Sequence, residues 1–259
     1  MDYADGASYI IKKQSNRIMK TIMLIALSVF SLSAMAQEKT DKKAKWEKMK
    51  SNMPTMTRGI GMSFQNFDAL NRRIAGFPQY KGLNNRIYTL SAGSMHVMNN
   101  FVSQMSVTAG SSLTGNPNKK SSTLRTIGGG FDLGYDLIPS KTVMLYPLVG
   151  IGGETFHAIY YRDVNAVDFD AVANSSNVQN SIRKTKFVNS AFTYRLGLGF
   201  SVKSPKDNGT IGLQAGYVSG FHDEKWKSAE YQNLSNAPHD VIKRFSVSLI
   251  FTGGKMMGM

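Results

Sequence analysis

The sequence predicts an all-β chain, an eight-stranded antiparallel transmembrane β-barrel with short periplasmic turns and longer extracellular loops. Three observations carry that expectation. An export-type leader opens the chain, apolar residues alternate with small or polar ones from Arg58 almost to the end, and the connections between alternating segments switch between short and long. Period-two alternation marks strands with one face in apolar surroundings. A barrel in an outer membrane sorts its short turns to one side and its long loops to the other.

Thr21 to Ala36 (TIMLIALSVFSLSAMA) is a single apolar run, preceded by Lys12, Lys13, Arg17 and Lys20 and closed by Ala34-Met35-Ala36 before the polar Gln37. The run falls short of the ~20 residues of a membrane helix. Charged, apolar and small-x-small regions in that order form a cleaved secretory signal peptide, assigned to residues 1–36, with Met19 a more economical start than Met1. Residues 37–57 are rich in Lys, with Trp46, Met49 and Met53 at helical spacing, and read as a solvated periplasmic leader. The barrel is assigned to 58–252 and a short tail to 253–259.

Composition narrows the classes further. The 259 residues contain no cysteine, which excludes a disulfide framework, thiolate metal sites, a cysteine nucleophile and a lipidated cysteine anchor. A mean hydropathy of −0.23 argues against a bundle of membrane helices. Lys+Arg is 31 against 17 Asp+Glu, a net charge of +14, which suggests nucleic acid as a partner. The export signal sets that partner aside. Part of the charge lies in the signal and leader, and the rest needs its own explanation.

Eight segments follow in order: 58–67, 86–98, 100–114, 122–137, 142–161, 186–203, 209–221 and 241–252. The sixth is the clearest, with Val188, Phe192, Tyr194, Leu196, Leu198, Phe200 and Val202 on one parity and Asn189, Ala191, Thr193, Arg195, Gly197, Gly199 and Ser201 on the other. Segments 86–98, 100–114 and 142–161 alternate less cleanly. Connections after strands 2, 4 and 6 are tight, at Asn99, Ile138–Lys141 and Ser204–Asn208. Those after strands 1, 5 and 7 are long: Asp68–Asn85, Arg162–Thr185 and His222–Asp240; the one after strand 3, Gly115–Ser121, is intermediate. Within the first long loop, Asp68 is placed to cap a helix Ala69–Ala75 ended by Gly76 and Pro78, a segment able to cover the barrel mouth.

An eight-stranded barrel is just wide enough to be filled by side chains. The inward parity predicts a polar interior of Gln65, Gln104, Gln214, Asp132, Asp136, Glu154, Arg195, Lys203 and Arg244. Its three acids and three bases are able to pair, which buried charges require. Arg86, Arg125, Lys186 and Lys243 each start an even-numbered strand on the lipid-facing parity. A lipid-facing charge costs ~2–4 kcal/mol at mid-bilayer but ~0–1 near the interface, so these four are expected at the outer rim as contacts to lipid A phosphates.

Signal peptide, short first strand, Phe67-Asp68-Ala69-Leu70-Asn71 leading to Gly76-Phe77-Pro78, and Tyr146-Pro147-Leu148-Val149-Gly150-Ile151-Gly152-Gly153 together resemble small outer-membrane β-barrel proteins of Bacteroidota-type bacteria, of PorT-like or OmpX size. The resemblance covers most of 58–252. It implies a monomeric barrel inserted by the barrel-assembly machinery, with lipopolysaccharide around it and no cofactor. The chain departs from the usual aromatic C-terminus, since Thr252 to Met259 follow Phe251.

Little chemistry is legible. Gly128-Gly129-Gly130 and Gly150-Ile151-Gly152-Gly153 lack the helix and Lys-Ser/Thr of a phosphate loop and read as close strand packing. His222 and His239 flank the last long loop, where hairpin closure would bring them near each other. Pairing Tyr161 with Lys186 would set His157 opposite Ser190 on the lipid face, half of a hydrolase constellation without its carboxylate. The expected function is a non-enzymatic structural or surface-interaction protein. A narrow channel, an accessory barrel of a secretion machine and an outer-leaflet lipid hydrolase are the alternatives.

Overall fold

The computed structural model describes residues 54–138, 140, 142–163, 167–203 and 209–255. The signal peptide 1–36, nearly all of the leader 37–57 and tail residues 256–259 lie outside the described residues. Eight long strands make the barrel: β1 (Thr55–Gln65), β2 (Arg86–Met98), β3 (Phe101–Ser111), β4 (Ser121–Tyr135), β5 (Val143–Tyr161), β6 (Thr185–Lys203), β7 (Thr210–Gly220) and β11 (Lys243–Lys255). Each pairs antiparallel with its neighbours, β1 joins β11, and β5 joins β6, so the sheet closes without an open edge. Closure satisfies every ladder group internally, as a hydrocarbon environment demands. The first strand begins at Thr55 and stops at Gln65, which frees Phe67 to turn inward. The last runs on to Lys255.

The loops carry the remaining elements. Helix α1 (Asp68–Ala75) lies in the first long loop, and α2 (Phe169–Asn174) and α3 (Ser176–Ile182) in the second. Short strands β8 (Glu224–Lys225), β9 (Lys227–Ser228) and β10 (His239–Asp240) structure the third. At the opposite end, β2 and β3 meet through Asn99 and Asn100, both with positive φ (49° and 68°). Two left-handed residues form the tight hairpin turn whose twist matches the flanking strands, and Asn tolerates that region.

The outward face is apolar over a single band. Ile60, Leu90, Met105, Ile127, Phe131, Val149, Ile151, Phe192, Leu198, Leu213 and Val247 all stand exposed along it. On β6 the band runs from Phe192 to Val202, about the 9–11 residues with which a tilted strand crosses a membrane. Aromatic pairs edge it, with Phe101 against Tyr135 near the tight turns and Tyr194 against Phe221 near the long loops, at centroid separations of 5.4 and 5.5 Å. This is the architecture of an outer-membrane β-barrel. β5 and β6, 19 residues each, outgrow the band. Above it β6 is flanked by β9, which pairs Phe187 with Ser228 and Val188 with Lys227.

Candidate functional site

The lumen is built in three layers. Uppermost is an apolar core of Phe67, Leu70, Ile74, Leu83, Ile87, Leu124, Phe156, Tyr160, Trp226 and Ile242. Phe67 stands edge-on to both Phe156 and Trp226, at 5.2 and 5.1 Å between centroids. Lowest is a second apolar core of Met95, Val102, Met144, Tyr146 and Leu148. The Tyr146 ring sits over Gly199, where any Cβ would collide with it. Between them lies a polar layer.

Three ion pairs cross or floor the lumen. Arg244 Nη2 meets Glu154 Oε1 directly beneath Phe156, with both side chains buried. Arg195 Nε lies 3.2 Å from Asp132 Oδ1. Lys203 Nζ lies 3.8 Å from Asp136 Oδ2, donates to the Ser140 carbonyl at 2.9 Å, and so ties the end of β6 to the β4–β5 turn. Asp136 Oδ1 accepts from the Leu145 and Ile138 backbone N–H groups, which makes this last pair a turn clasp at the lower mouth. Gln104 and Gln214 face each other with their amides 3.5 Å apart. Gln65 donates to the Asn66 carbonyl. A cavity of about 60 Å³ adjoins Asp132, Arg195, Gln214 and Arg244, enough for a few waters. Asp132 Oδ2, Glu154 Oε2 and Arg244 Nε have no protein partner among the described residues.

The extracellular cap is tied together across loops. The N-cap position of α1 is Phe67, which has no side chain to cap with, and Asp68 falls in the first turn. The expected Asp68 cap is therefore replaced. Asp240, from β10, accepts the Ala69 and Leu70 backbone N–H groups at 3.0 Å each and the Trp226 indole N–H at 2.9 Å. A carboxylate at a helix N-terminus satisfies orphan donors and complements the dipole. Tyr80 bonds Thr185 at 2.8 Å, and the Arg162 guanidinium donates to the Tyr80 hydroxyl and stacks on its ring. Nothing in the sequence pattern links residue 240 to residue 69. The one available signal was an acidic residue beside a Trp-bearing loop.

The expected His157–Ser190 juxtaposition is not formed. Thr155 stands opposite Ser190, His157 opposite Val188 and Tyr160 opposite Thr185, a shift of two residues from the expected pairing. The β5–β6 connection is long and does not fix register, and a two-residue shift keeps every side chain on its own face. Ser190 and Thr155 bond each other at 3.0 Å, so the Ser190 hydroxyl has no imidazole to activate it. His239 pairs with Lys225, and the described residues contain no group of three metal-ligating side chains. The glycine runs lie side by side, Gly129 opposite Gly153 and Gly130 opposite Gly152. A Cβ at Gly152 would strike the Gly129 carbonyl.

Arg86, Arg125, Lys186 and Lys243 are all exposed. The structure divides them. Arg86 and Lys243 flank the upper end of β1, where Phe64 pairs with both Arg86 and Phe245. Arg125 pairs with His157, and Lys186 with Ile159 one step higher. His157 thus joins the second group, a member the outward parity of β5 pointed to.

Comparison with solved structures finds membrane barrels. The chain is similar to Ail, the attachment invasion locus protein of Yersinia pestis, at 11% identity over 78% of this chain and 97% of that one, TM-score 0.44. It is similar to Neisserial surface protein A at 9% identity over 77% and 96%, TM-score 0.44. A third is the N-terminal barrel domain of Pseudomonas aeruginosa OprF, at 9% identity over 76% and 99%, TM-score 0.31. No protein-family model matches the chain, and no curated protein matches it in sequence. At these values no activity or partner transfers from the solved structures.

Proposed function

We propose that the chain is an outer-membrane protein of a Gram-negative, Bacteroidota-type envelope, exported through a cleaved signal peptide. It acts as a monomeric, non-enzymatic structural or surface-interaction barrel. The observation that carries this reading is the division of labour in the barrel. The lumen is packed from both ends, while three long loops are cross-braced into an ordered surface. A molecule that fills its own pore and orders its outer loops presents a surface rather than a path. The two basic groups at the rim, Arg86 with Lys243 and Arg125 with Lys186, serve as contacts to lipid A phosphates, where interfacial charge costs little and phosphate accepts charge-assisted bonds.

Outer-membrane fractionation with a heat-modifiability gel tests the placement. A fast-migrating folded band in that fraction is the expected result, and its absence refutes it. Neutralising Arg86, Arg125, Lys186 and Lys243 together to Gln is expected to lower lipopolysaccharide co-purification several-fold. Unchanged lipid content in a folded variant removes the rim reading and leaves the barrel standing.

A further inference from the structure

Between Asp68 and Asp132 the chain contains no Asp or Glu. That stretch holds α1 beyond its opening residue Asp68, the rest of the first outer loop, the shorter second outer loop that joins β3 to β4 (112–120), β2, β3 and most of β4. Its bases are all at the extracellular end: Arg72, Arg73 and Lys81 in the first loop, Lys119 and Lys120 in the second, and Arg86 and Arg125 at the strand tops. The other half of the mouth differs. There Arg183, Lys184, Lys225 and Lys227 are interspersed with Asp163, Asp168, Asp170, Asp223, Glu224 and Glu230. The surface is thus divided into an acid-free basic sector and a mixed sector. In the first, bordered by Asp68 at the start of α1, positive potential adds with little local cancellation; in the second it does not.

The basic sector is also shaped and held. The Ser122 hydroxyl donates to the Gly82 carbonyl at 2.6 Å, and Lys120 Nζ reaches the Pro78 carbonyl, so the first and second loops are joined. Leu83 N–H donates to Asn71 Oδ1 at 2.8 Å and fixes the return of the first loop against α1. Ser121 and Asn116 bond each other through backbone and side chain at 2.6 and 2.8 Å. At the junction lies a cleft of about 270 Å³ lined by Lys81, Gly82, Leu83, Asn84, Thr114 and Ser122. Phe77, exposed and edge-on to Tyr80 at 6.4 Å, provides an aromatic surface nearby. The Arg162 guanidinium on Tyr80 brings a further positive charge from the next loop.

We propose that this acid-free sector, centred on the cleft between the first and second outer loops, binds a saccharide carrying clustered phosphate or sulfate groups. Ammonium and guanidinium groups engage the anions, and backbone and side-chain amides of the cleft with the Phe77 ring engage the sugar. The proposal rests on the reading of these loops as the outer surface. It gives that surface a ligand class, distinct from the lipid phosphates at the strand tops. Two sources share the chemistry, the phosphorylated core sugars of neighbouring lipopolysaccharide and a soluble polyanionic glycan.

The test uses the full chain, folded in zwitterionic detergent, with fluorescently labelled inositol hexakisphosphate as probe. A loop variant carries Arg73→Gln, Lys81→Gln, Lys119→Gln and Lys120→Gln. A control of equal charge loss carries Arg183→Gln, Lys184→Gln, Lys225→Gln and Lys227→Gln. Both are checked for the folded, heat-modifiable band. The loop variant is expected to lose roughly tenfold or more in affinity, on the scale of a focused local field, and the control less than twofold. Binding of the parent protein should weaken with salt. Displacement of the probe by lipopolysaccharide that retains its phosphorylated core, but not by lipid A, assigns the membrane's own sugars. Displacement by neither, together with displacement by a soluble sulfated oligosaccharide, assigns a soluble glycan, and displacement by lipid A overturns the distinction from the lipid phosphates. No binding by the parent protein, or equal losses in the two variants, overturns the proposal. Because the assay reads purified protein, that failure is separable from a failure of outer-membrane placement, which fractionation reads.

Discussion

Asp240 concentrates more of the cap's order than any charged group on the barrel wall. It is buried in β10 and holds three donors, two at the first turn of α1 and one on Trp226. Asp240→Ala leaves the buried Leu70 N–H and Trp226 indole N–H without an acceptor, and the part-buried Ala69 N–H to water. An unsatisfied buried donor costs about 1–3 kcal/mol, so the expected loss is about 2 kcal/mol or more, confined to the cap because the barrel ladders are untouched. Trypsin is the direct probe. Arg72, Arg73 and Lys81 lie in the segment that Asp240 anchors, and should resist cleavage in the parent protein and be cut readily in the variant, with the folded band retained. Equal resistance would show that the apolar contacts of Leu70 and Ile74 hold the helix without the carboxylate. Residue identity alone concealed this role. Asp240 sits 14 positions from Trp226 and 170 from Leu70, and nothing local marks a carboxylate as the cap of a helix so remote in sequence.

At the scale of elements, strands were legible where one face differed in chemistry from the other. β6, β7 and β11 alternate cleanly because their inward residues are largely Gly, Ser, Thr, Gln or charged. β5 does not, for a physical reason. Its inward parity includes Met144, Tyr146 and Leu148 in the lower core and Phe156, Ala158 and Tyr160 in the upper one, so at the lower end both faces are apolar, at the upper end the apolar inward face opposes outward Thr155 and His157, and only Gly150, Gly152 and Glu154 mark the middle. The strand and its parity were readable, but the plugs it builds were not. Register was equally hidden, since a slip of two preserves parity. The absence of cysteine makes register directly measurable. Thr155 and Ser190 are directly opposed, and opposed residues on neighbouring strands have Cα separations of about 4.5–5.5 Å, within disulfide range. The pair Thr155→Cys with Ser190→Cys should oxidise nearly completely. His157→Cys with Ser190→Cys is diagonal, at about 7–8 Å, and should oxidise poorly. Reversal of that order would restore the histidine–serine pairing and with it the hydrolase alternative.

The whole molecule is a stack of seals in series, and that decides whether it conducts. An eight-stranded barrel is narrow to begin with. Here the upper core buries Trp226, Phe156, Ile87, Leu124 and Ile242 completely, and the lower core buries Tyr146 and Val102 completely. The polar layer between them, with its cavity of about 60 Å³, is a chamber rather than a passage. An ion crossing either apolar layer would shed most of its hydration and meet few polar groups, such as the Tyr146 and Ser201 hydroxyls below, at a cost of several kcal/mol. The parent protein should therefore show no steady single-channel conductance in a planar bilayer. Opening one end should not change that. Tyr146→Ala with Met144→Ala thins the floor but leaves the upper core, and Phe156→Ala with Trp226→Ala thins the roof but leaves Phe67, Ile87, Leu124 and Ile242 in it. Only the four changes together weaken both layers at once, so conductance is expected in the combined variant and in neither pair. Conductance in either pair alone would show that one apolar layer is not a seal. Steady conductance in the parent protein would return the channel reading to first place.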